Sequence, residues 1–342
     1  MNDFLRSILD GINSVVNNYG WSIIIFTFLI RFVLLPFDAK SRKSMRKMSL
    51  LQPKINEIQK KYANDKEKLN QKTAELYKKE KINPLSSCLP MLLTMPVLFA
   101  MFAAMRMIAN TELAKQLFSL ISGNEPQYEN WLWIKNVWMP DSPFAPVVPD
   151  AAAINLIPSD IWKNAYEIIQ SRNYILPDLL DATGTIIPYD FSSDASVKIV
   201  VAEMIKYMQN MDGYKVALST VKGFTDINLL FVHITVYTQF NGLFILPLLA
   251  SGTQILMTKL NPAATGTQTA PATQTGKPGG AGGFMKWFFP IFSLIICSGQ
   301  NAGFSLYWVS ANIIMSLQTW LLNKYYDGRE KKAAIPLEGS VK

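Results

Sequence analysis

The stretch that decides the fold is residues 21–37, WSIIIFTFLIRFVLLPF. Arg31 is its only charged residue. A helix that crosses a bilayer core of about 30 Å needs about 20 predominantly apolar residues. The stretch therefore predicts a first membrane span, and the low charge content of the whole chain, 17% against about 25% in an average soluble domain, agrees with it.

Four further apolar stretches follow along the chain, and we expect each to cross the membrane. They are residues 89–109, 242–260, 284–298 and 303–323. The fourth of the five spans is short, so it fits best where the bilayer is thin or its ends are shielded by protein. The predicted fold class is an all-α membrane protein with five transmembrane helices.

The charges between the spans predict the orientation. Residues 37–83 carry fourteen Lys and Arg against six Asp and Glu, whereas residues 110–240 carry eight basic and fourteen acidic residues. Because basic loops stay in the cytoplasm, the 37–83 region should be cytoplasmic and the acidic region external. The N-terminus is then outside, and the basic tail at 324–342 is cytoplasmic.

The remaining segments have their own periodicities. Residues 1–18 have the pattern of an amphipathic helix in the membrane interface. Residues 38–83 predict a basic helical hairpin, with Asn64 and Glu67 as a cap for its second arm. Residues 261–283, which are rich in Gly, Thr, Pro and Ala, predict a flexible cytoplasmic linker.

Within the external region we expect a small inserted helical domain at about 145–228. Ser159 and Ser193 are candidate caps for two amphipathic helices, at roughly 160–172 and 194–210. The second helix should bury one face that carries Val197, Val201, Met204 and Met208.

Arg31 is the most unusual single residue. It lies about ten residues into the first span, and therefore roughly 15 Å deep at a rise of 1.5 Å per residue. An arginine at that depth costs at least about 2.5–3.5 kcal/mol on insertion scales. Either its side chain extends to the cytoplasmic interface, or it faces a water-containing cavity. The second interpretation is favoured because no Asp or Glu lies in any predicted span, and a buried cation without a counter-ion must be hydrated or bonded to neutral oxygens.

Other polar residues lie at or near membrane depth and are candidates to line this cavity. They are Thr94, Thr253, Gln254, Gln300, Asn312, Ser316 and Gln318. Each of them, taken alone, is more often a hydrogen-bonding contact between helices than a cavity residue.

The sequence lacks the motifs of an enzyme or of a cofactor site. Metal-ligand clusters, phosphate-binding glycine loops and nucleophile elbows are absent, so we expect no catalytic residue, no cofactor and no metal. Cys88 and Cys297 are predicted to be free thiols because the topology places them near opposite faces of the bilayer.

Four motifs, in order along the chain, resemble the YidC family of membrane protein insertases. The first is Arg31 followed by Leu34-Leu35-Pro36 and the basic hairpin. The second, residues 83–90, is NPLSSCLP, followed by Met95-Pro96. The third is the WLWI of residues 131–134 with Pro140-Asp141, and the fourth is the FSLYW of residues 304–308 with Asn312. The chain is most similar to the short, Gram-positive type of this family.

Three departures limit what the resemblance carries over. Ser87 stands where family members commonly have glycine, and Thr94 stands where they commonly have glutamine. Residues from about 145 to 228 are an insertion in a loop that is usually short.

The resemblance implies a hydrophilic groove that is open to the cytoplasm and to lipid, with Arg31, Tyr307 and Trp308 among its residues. It implies that hydrophilic tails of newly made membrane proteins cross through the groove while their apolar segments enter the lipid of a bacterial plasma membrane. It also implies that the hairpin receives the ribosome, the signal-recognition receptor or the client, with the Sec translocon as a possible neighbour. A simpler interpretation of the same basic residues is that they set the topology and contact anionic lipid headgroups. The basic residues concerned are Lys40, Arg42, Lys43, Arg46, Lys47, Lys60 and Lys61.

Two other classes of function stay open. A small-anion channel or transporter would also use a lone intramembrane arginine, although transporters usually show internal repeats and more spans. A translocon-associated assembly factor would hold clients without moving them.

Overall fold

The computed structural model describes residues 2–80, 89–224, 227–229, 232–260 and 281–334, although the side chains of some of these residues are not described. Over these residues the protein is mostly helical. Eleven helices are described: α1 (Asn2–Val16), α2 (Tyr19–Lys61), α3 (Lys66–Lys79), α4 (Leu89–Ile121), α5 (Ala151–Asn155), α6 (Ser159–Ser171), α7 (Asp194–Asn210), α8 (Asp212–Ala217), α9 (Ile245–Leu260), α10 (Ala281–Gly299) and α11 (Ala302–Ala334).

Two short antiparallel hairpins interrupt the helices, and the sequence did not predict them. Strand β1 (Leu179–Leu180) pairs with β2 (Ile186–Ile187), and β3 (Ile227–Leu229) pairs with β4 (Val232–Ile234). Both lie in the region that was expected to be a purely helical domain or its border. Strands of two or three residues have too few alternating side chains to give a period-2 signal.

Among the described residues, two helical stretches are long and apolar enough to cross a membrane, Tyr19–Lys40 and Met95–Ile121. Ile245–Leu260 and Trp287–Gly299 are apolar but shorter. The five spans expected from the sequence therefore correspond to helices, while the number that crosses the membrane stays a prediction.

Helix α2 continues without interruption from the first predicted span into the first arm of the hairpin, and it contains Pro36 and Pro53. The second arm, α3, begins one residue later than expected. Its cap is Asp65, whose carboxylate accepts the backbone N–H of Lys68 at 3.0 Å. The prediction of Asn64 as the cap was wrong. Asn64 and Asp65 are both good N-caps, and the preceding turn decides which of the two lies at the helix start.

The helices of the last three predicted spans differ at their ends from the predicted bounds. Helix α9 begins at Ile245 and not at Gly242, because Phe244 has φ of 64°, a conformation that a helix cannot include. Helix α11 runs on to Ala334, into the predicted tail. Most of the predicted linker and the end of the tail, as well as Cys88, lie outside the described residues, while Cys297 is a buried free thiol.

The chain divides into two compact units. The first unit comprises Met1–Phe26, Ala100–Ala250 and Ser293–Val309, and the second comprises Thr27–Phe99, Ser251–Phe292 and Ser310–Lys342. Several long helices contribute one part to each unit.

The first unit holds a buried polar network. The Asn136 backbone N–H donates to Asn241 Oδ1 at 2.8 Å, and Asn241 Nδ2 donates to the carbonyl of Asn136 at 2.9 Å. Asn136 Nδ2 also donates to Gln116 Oε1 at 3.0 Å. The Asp141 carboxylate is fully buried and accepts the Leu246 backbone N–H at 2.7 Å, so it caps the start of α9. Such satisfied networks fix one arrangement of the loops that they join.

The region of the predicted inserted domain contains helices α5 to α8 and the β1–β2 hairpin, and it belongs to the first unit. Ser193 caps α7 as expected, by accepting the Ser196 backbone N–H at 3.1 Å, and the four apolar residues predicted for its inner face are buried. Ser159 does not cap α6. It is the first helical residue, because Pro158 takes the cap position without a side-chain hydrogen bond.

Candidate functional site around Arg31

Helix α2 turns its polar side chains inward and its aromatic ones outward around Arg31. Arg31 is only 8% exposed, and Thr27, one turn earlier on the same face, is fully buried. Phe28 and Phe32 stack on each other and are 56% and 63% exposed. This arrangement is the reverse of a soluble protein, in which burying charge and exposing aromatic rings would both be unfavourable. It suits a helix whose outer face meets hydrocarbon.

Helix α11 shows the same inverted pattern. Asn312, Ser316 and Thr319 follow each other at helical spacing, and all three are buried. Over residues 312–321, the residues that are half or more exposed are apolar: Ile313, Leu317, Trp320 and Leu321. A polar stripe inside and an apolar face outside again indicate a membrane environment around the second unit.

Two hydrogen bonds join these helices. Gln318 Nε2 donates to the backbone carbonyl of Arg31 at 3.2 Å, which joins α11 to α2. Asn312 Nδ2 donates to Thr253 Oγ1 at 3.3 Å, which joins α11 to α9. The site is therefore formed by three helices that contribute neutral polar groups.

Two buried atoms of the site lack a hydrogen-bond partner among the described residues, Arg31 Nη1 and Ser316 Oγ. The ion pairs within the described part of the chain do not include Arg31. An unsatisfied buried polar group costs about 1–3 kcal/mol, and more when it is charged. Water or the polar group of a bound molecule removes that cost, so the geometry favours a hydrated site.

The structure brings together some of the predicted groove residues. Arg31, Thr253, Gln254, Asn312 and Ser316 all belong to the second unit. Thr253 and Gln254 lie on α9, where both are partly exposed.

Thr94 also belongs to the second unit, on α4, but its side chain is outside the described residues. The three remaining predicted groove residues belong to the first unit. Tyr307 is buried on α11 within the first unit, and Trp308 Nε1 there is buried without a described partner. Gln300 lies in the two-residue turn between α10 and α11 and is only partly exposed.

Among the described residues, sequence reasoning missed four buried polar residues of the second unit, Thr27, Thr258, Ser310 and Thr319. A signal for Thr27 was available, since it lies four residues before Arg31 and so on the same helix face. Ser310 and Thr319 lie within the last predicted span, and the face that each occupies depends on how α11 packs.

The basic residues of the hairpin do not all have the same surroundings. Arg46 pairs with Asp327 of α11, and its Nη1 donates to the backbone carbonyl of Asn323 at 3.5 Å. Tyr326 Oη donates to the Ala39 carbonyl at 3.2 Å. Arg46 is thus partly a structural contact between α2 and the end of α11. Four of the predicted contact residues are exposed, Lys40, Lys43, Lys60 and Lys61, while the side chains of Arg42 and Lys47 are outside the described part.

A family model described as the 60Kd inner membrane protein matches residues 11–189 and 204–331, which is most of the chain. Three similar proteins are each named membrane protein insertase YidC. The one from Fusobacterium nucleatum subsp. nucleatum is 42% identical over 135 residues, which are 40% of this chain and 58% of that protein. The one from Chlorobaculum parvum is 42% identical over 135 residues, 40% of this chain and 20% of that protein. The one from Anaeromyxobacter dehalogenans is 38% identical over 151 residues, 44% of this chain and 25% of that protein.

The chain belongs to the family of the 60Kd inner membrane protein. The names of these relatives confirm the YidC family that the four motifs indicated, and none of them describes an enzyme. The alignments cover less than two thirds of the length of each of these relatives. The family description places the protein in the inner membrane of bacteria.

Proposed function

We propose that the protein is a membrane protein insertase that moves hydrophilic tails of newly made membrane proteins across the bilayer and releases their apolar segments into lipid. The observation that carries this proposal is the buried arginine with an unpartnered nitrogen, on a polar face between helices whose outer faces are apolar. Such a site offers water and charge at a depth where lipid offers neither.

We further propose five spans, formed by the N-terminal part of α2 and by α4, α9, α10 and α11. The N-terminus is then outside, and the hairpin of α2 and α3 and the end of α11 are cytoplasmic. Helix α1 lies in the interface, and α5 to α8 lie outside. The charge distribution supports this orientation, since the region around the hairpin is basic and the region of α5 to α8 is acidic.

The mechanism follows from the cost of carrying a polar chain through hydrocarbon. Each unsatisfied backbone group there costs several kcal/mol, and a hydrated groove shortens the path on which that cost applies. The positive charge of Arg31 attracts acidic and polar tails, and it does so more strongly than in water because the surrounding dielectric constant is low. Transfer of the client's apolar segment into lipid then drives the step without a nucleotide.

The site residues have two roles in this proposal. Arg31 draws the tail inward, while Thr253, Gln254, Asn312 and Ser316 offer hydrogen bonds to it. The inclusion of Thr94, Gln300, Tyr307 and Trp308 rests on the sequence motifs and is a prediction. The same holds for the ribosome, the signal-recognition receptor, the Sec translocon and anionic lipids as partners of the basic hairpin.

The proposal is tested with purified protein in liposomes and a single-span client that has an acidic external tail. Protease protection of the tail measures its translocation. We expect protection with the wild type and about a tenfold slower insertion with Arg31→Ala, which is the kinetic equivalent of about 1.4 kcal/mol. Arg106→Ala is the matched control, since it removes an exposed arginine of α4.

Three outcomes contradict the proposal. Protection with the wild type that equals the empty-liposome value removes autonomous insertion and favours the assembly-factor interpretation. Equal insertion rates for the wild type and Arg31→Ala would show that the charge of Arg31 does not contribute to insertion. A chloride flux that depends on Arg31, without any tail protection, favours the anion channel.

A further inference from the structure

A groove of about 350 Å³ lies between α7 and the β1–β2 hairpin, within the inserted domain. Its walls include Asp178, Leu180, Asp181, Glu203, Lys206 and Tyr207. Three of these side chains are carboxylates and one is an ammonium group. The groove therefore carries a net negative charge, and the mechanism proposed above does not use it.

The groove exposes apolar surface beside these charges. Leu180 is 53% exposed and Tyr207 is 37% exposed, although α7 and β1 pack against each other. An aromatic ring next to carboxylates suits a cationic side chain with an alkyl stem, because the ring attracts the charge and the stem covers apolar atoms.

The protein already places one such cation in the groove. Lys206 Nζ donates to Glu203 Oε1 at 2.5 Å. The Glu203 side chain is only 13% exposed, whereas that of Lys206 is 63% exposed. The carboxylate is largely covered while the ammonium group is exposed, so the cation of a ligand can take the place of Lys206 as the partner of Glu203.

The sheet beside the groove favours an extended ligand. Within the described residues, β1 pairs only with β2. No described strand lies on the other edge of β1, and addition of a strand to such an edge is a common mode of peptide recognition.

We propose that this groove binds an extended peptide segment of another protein in which lysine or arginine alternates with apolar residues. The basic side chain reaches Glu203 and Asp178, and the apolar neighbour packs on Leu180 and Tyr207. This site is separate from the client groove, and its test does not require insertase activity.

The test uses the whole chain in nanodiscs and fluorescence anisotropy of labelled short peptides. The probe alternates lysine and leucine. One comparison peptide has glutamate in place of lysine, and a second has glycine in place of leucine. We expect the lysine–leucine peptide to bind about tenfold or more tightly than either comparison peptide.

Two variants locate the binding. Asp178→Asn with Glu203→Gln should weaken binding of the lysine–leucine peptide about tenfold, and Tyr207→Ala should weaken it by a smaller factor. Glu167→Gln is the matched control, because it neutralises an exposed carboxylate of α6 in the same domain. Asp181 is left unchanged because its carboxylate holds the hairpin turn by accepting the backbone N–H of Thr183 and Thr185 at 2.8 and 2.9 Å. Circular dichroism verifies that each variant is folded.

The proposal is overturned if the lysine–leucine peptide does not bind, or if the glutamate or glycine peptide binds as tightly. It is also overturned if Glu167→Gln weakens binding as much as the change at Asp178 and Glu203, since binding would then be non-specific attraction to an acidic domain. Equally tight binding of spermidine would indicate a site for small polyamines in place of a peptide.

Discussion

Arg31 is the residue at which sequence and structure can be compared most closely. Its depth in the first span and the lack of acidic residues in the predicted spans could be derived from the sequence. The sequence could not show that Gln318 binds its backbone carbonyl or that Arg46 pairs with Asp327. These contacts depend on how α11 packs along α2, and residues nearly 290 positions apart carry no local signal of it.

The close approach of Gly242 to Asp141 predicts that adding a single methyl group at residue 242 destabilises the protein. A Cβ atom there would overlap Asp141 Oδ1 and would lie 2.9 Å from Asp141 Cα. Gly242→Ala should therefore displace the carboxylate that caps α9 and lower the free energy of unfolding by about 1–3 kcal/mol. Thermal unfolding in detergent measures the change.

Gly252→Ala is the matched control for Gly242→Ala. It lies on α9, and a Cβ atom there would have no neighbour within 4 Å. Its substitution should leave the melting temperature unchanged or raise it, because alanine is favoured over glycine in a helix. Equal melting temperatures for the two variants would contradict the close approach at Asp141.

Asp65 predicts a pH dependence in the hairpin. The backbone N–H of Lys68 that its carboxylate accepts lowers the pKa of Asp65 below its ordinary value. A lowered pKa in the folded state means that the cap stabilises α3 at pH values above the ordinary pKa, and that this stabilisation is lost as the pH falls through the lowered pKa. Hydrogen-exchange protection factors of α3 should therefore decrease on acidification.

Asp65→Asn distinguishes the cap from other acid-sensitive groups. Asparagine can still accept the Lys68 N–H, but it does not titrate. Protection of α3 in this variant should vary less with pH than in the wild type. An identical pH dependence in both proteins would contradict the assignment of the effect to the Asp65 cap.

At the scale of elements, the sequence predicts the helices better than their ends. The apolar stretches and the periodicity of α7 could be recognised because each extends over several turns. The predicted caps of α3 and α6 were wrong for different reasons. At α3, Asn64 and Asp65 are both good N-caps, whereas at α6 Pro158 takes the cap position without a side-chain hydrogen bond. The start of α9 could not be predicted, because it depends on Phe244 and on Asp141, which lies about a hundred residues earlier.

The cap of α7 gives a paired test. Ser193→Ala should lower the free energy of unfolding by about 1 kcal/mol, because it removes the acceptor of the Ser196 N–H. Ser159→Ala, at the first residue of α6, should have little effect, because that cap uses no side chain. Chemical denaturation monitored by circular dichroism compares the two variants. A larger loss for Ser159→Ala would reverse the assignment of the caps.

At the scale of the whole molecule, the central claim is that a hydrated polar face lies within a membrane-embedded helical unit. The family membership and the inverted burial patterns of α2 and α11 support it. Of the nine predicted groove residues, six lie in the second unit, with Arg31 counted among them, while the groove itself stays a prediction. The helices α6 and α7 could be predicted from their amphipathic patterns, while the β1–β2 hairpin and the groove beside it could not.

The most direct test of this claim measures water access on α9. Gln254→Cys and Leu256→Cys lie at nearly the same depth on nearly opposite faces of the helix, and Leu256 is 46% exposed on the apolar side. In intact vesicles of the variants with Cys88 and Cys297 replaced by alanine, a membrane-impermeant maleimide applied from the cytoplasmic side should label Gln254→Cys rapidly and Leu256→Cys slowly. Equal labelling of the two positions, or faster labelling at Leu256, would contradict a hydrated face around Arg31.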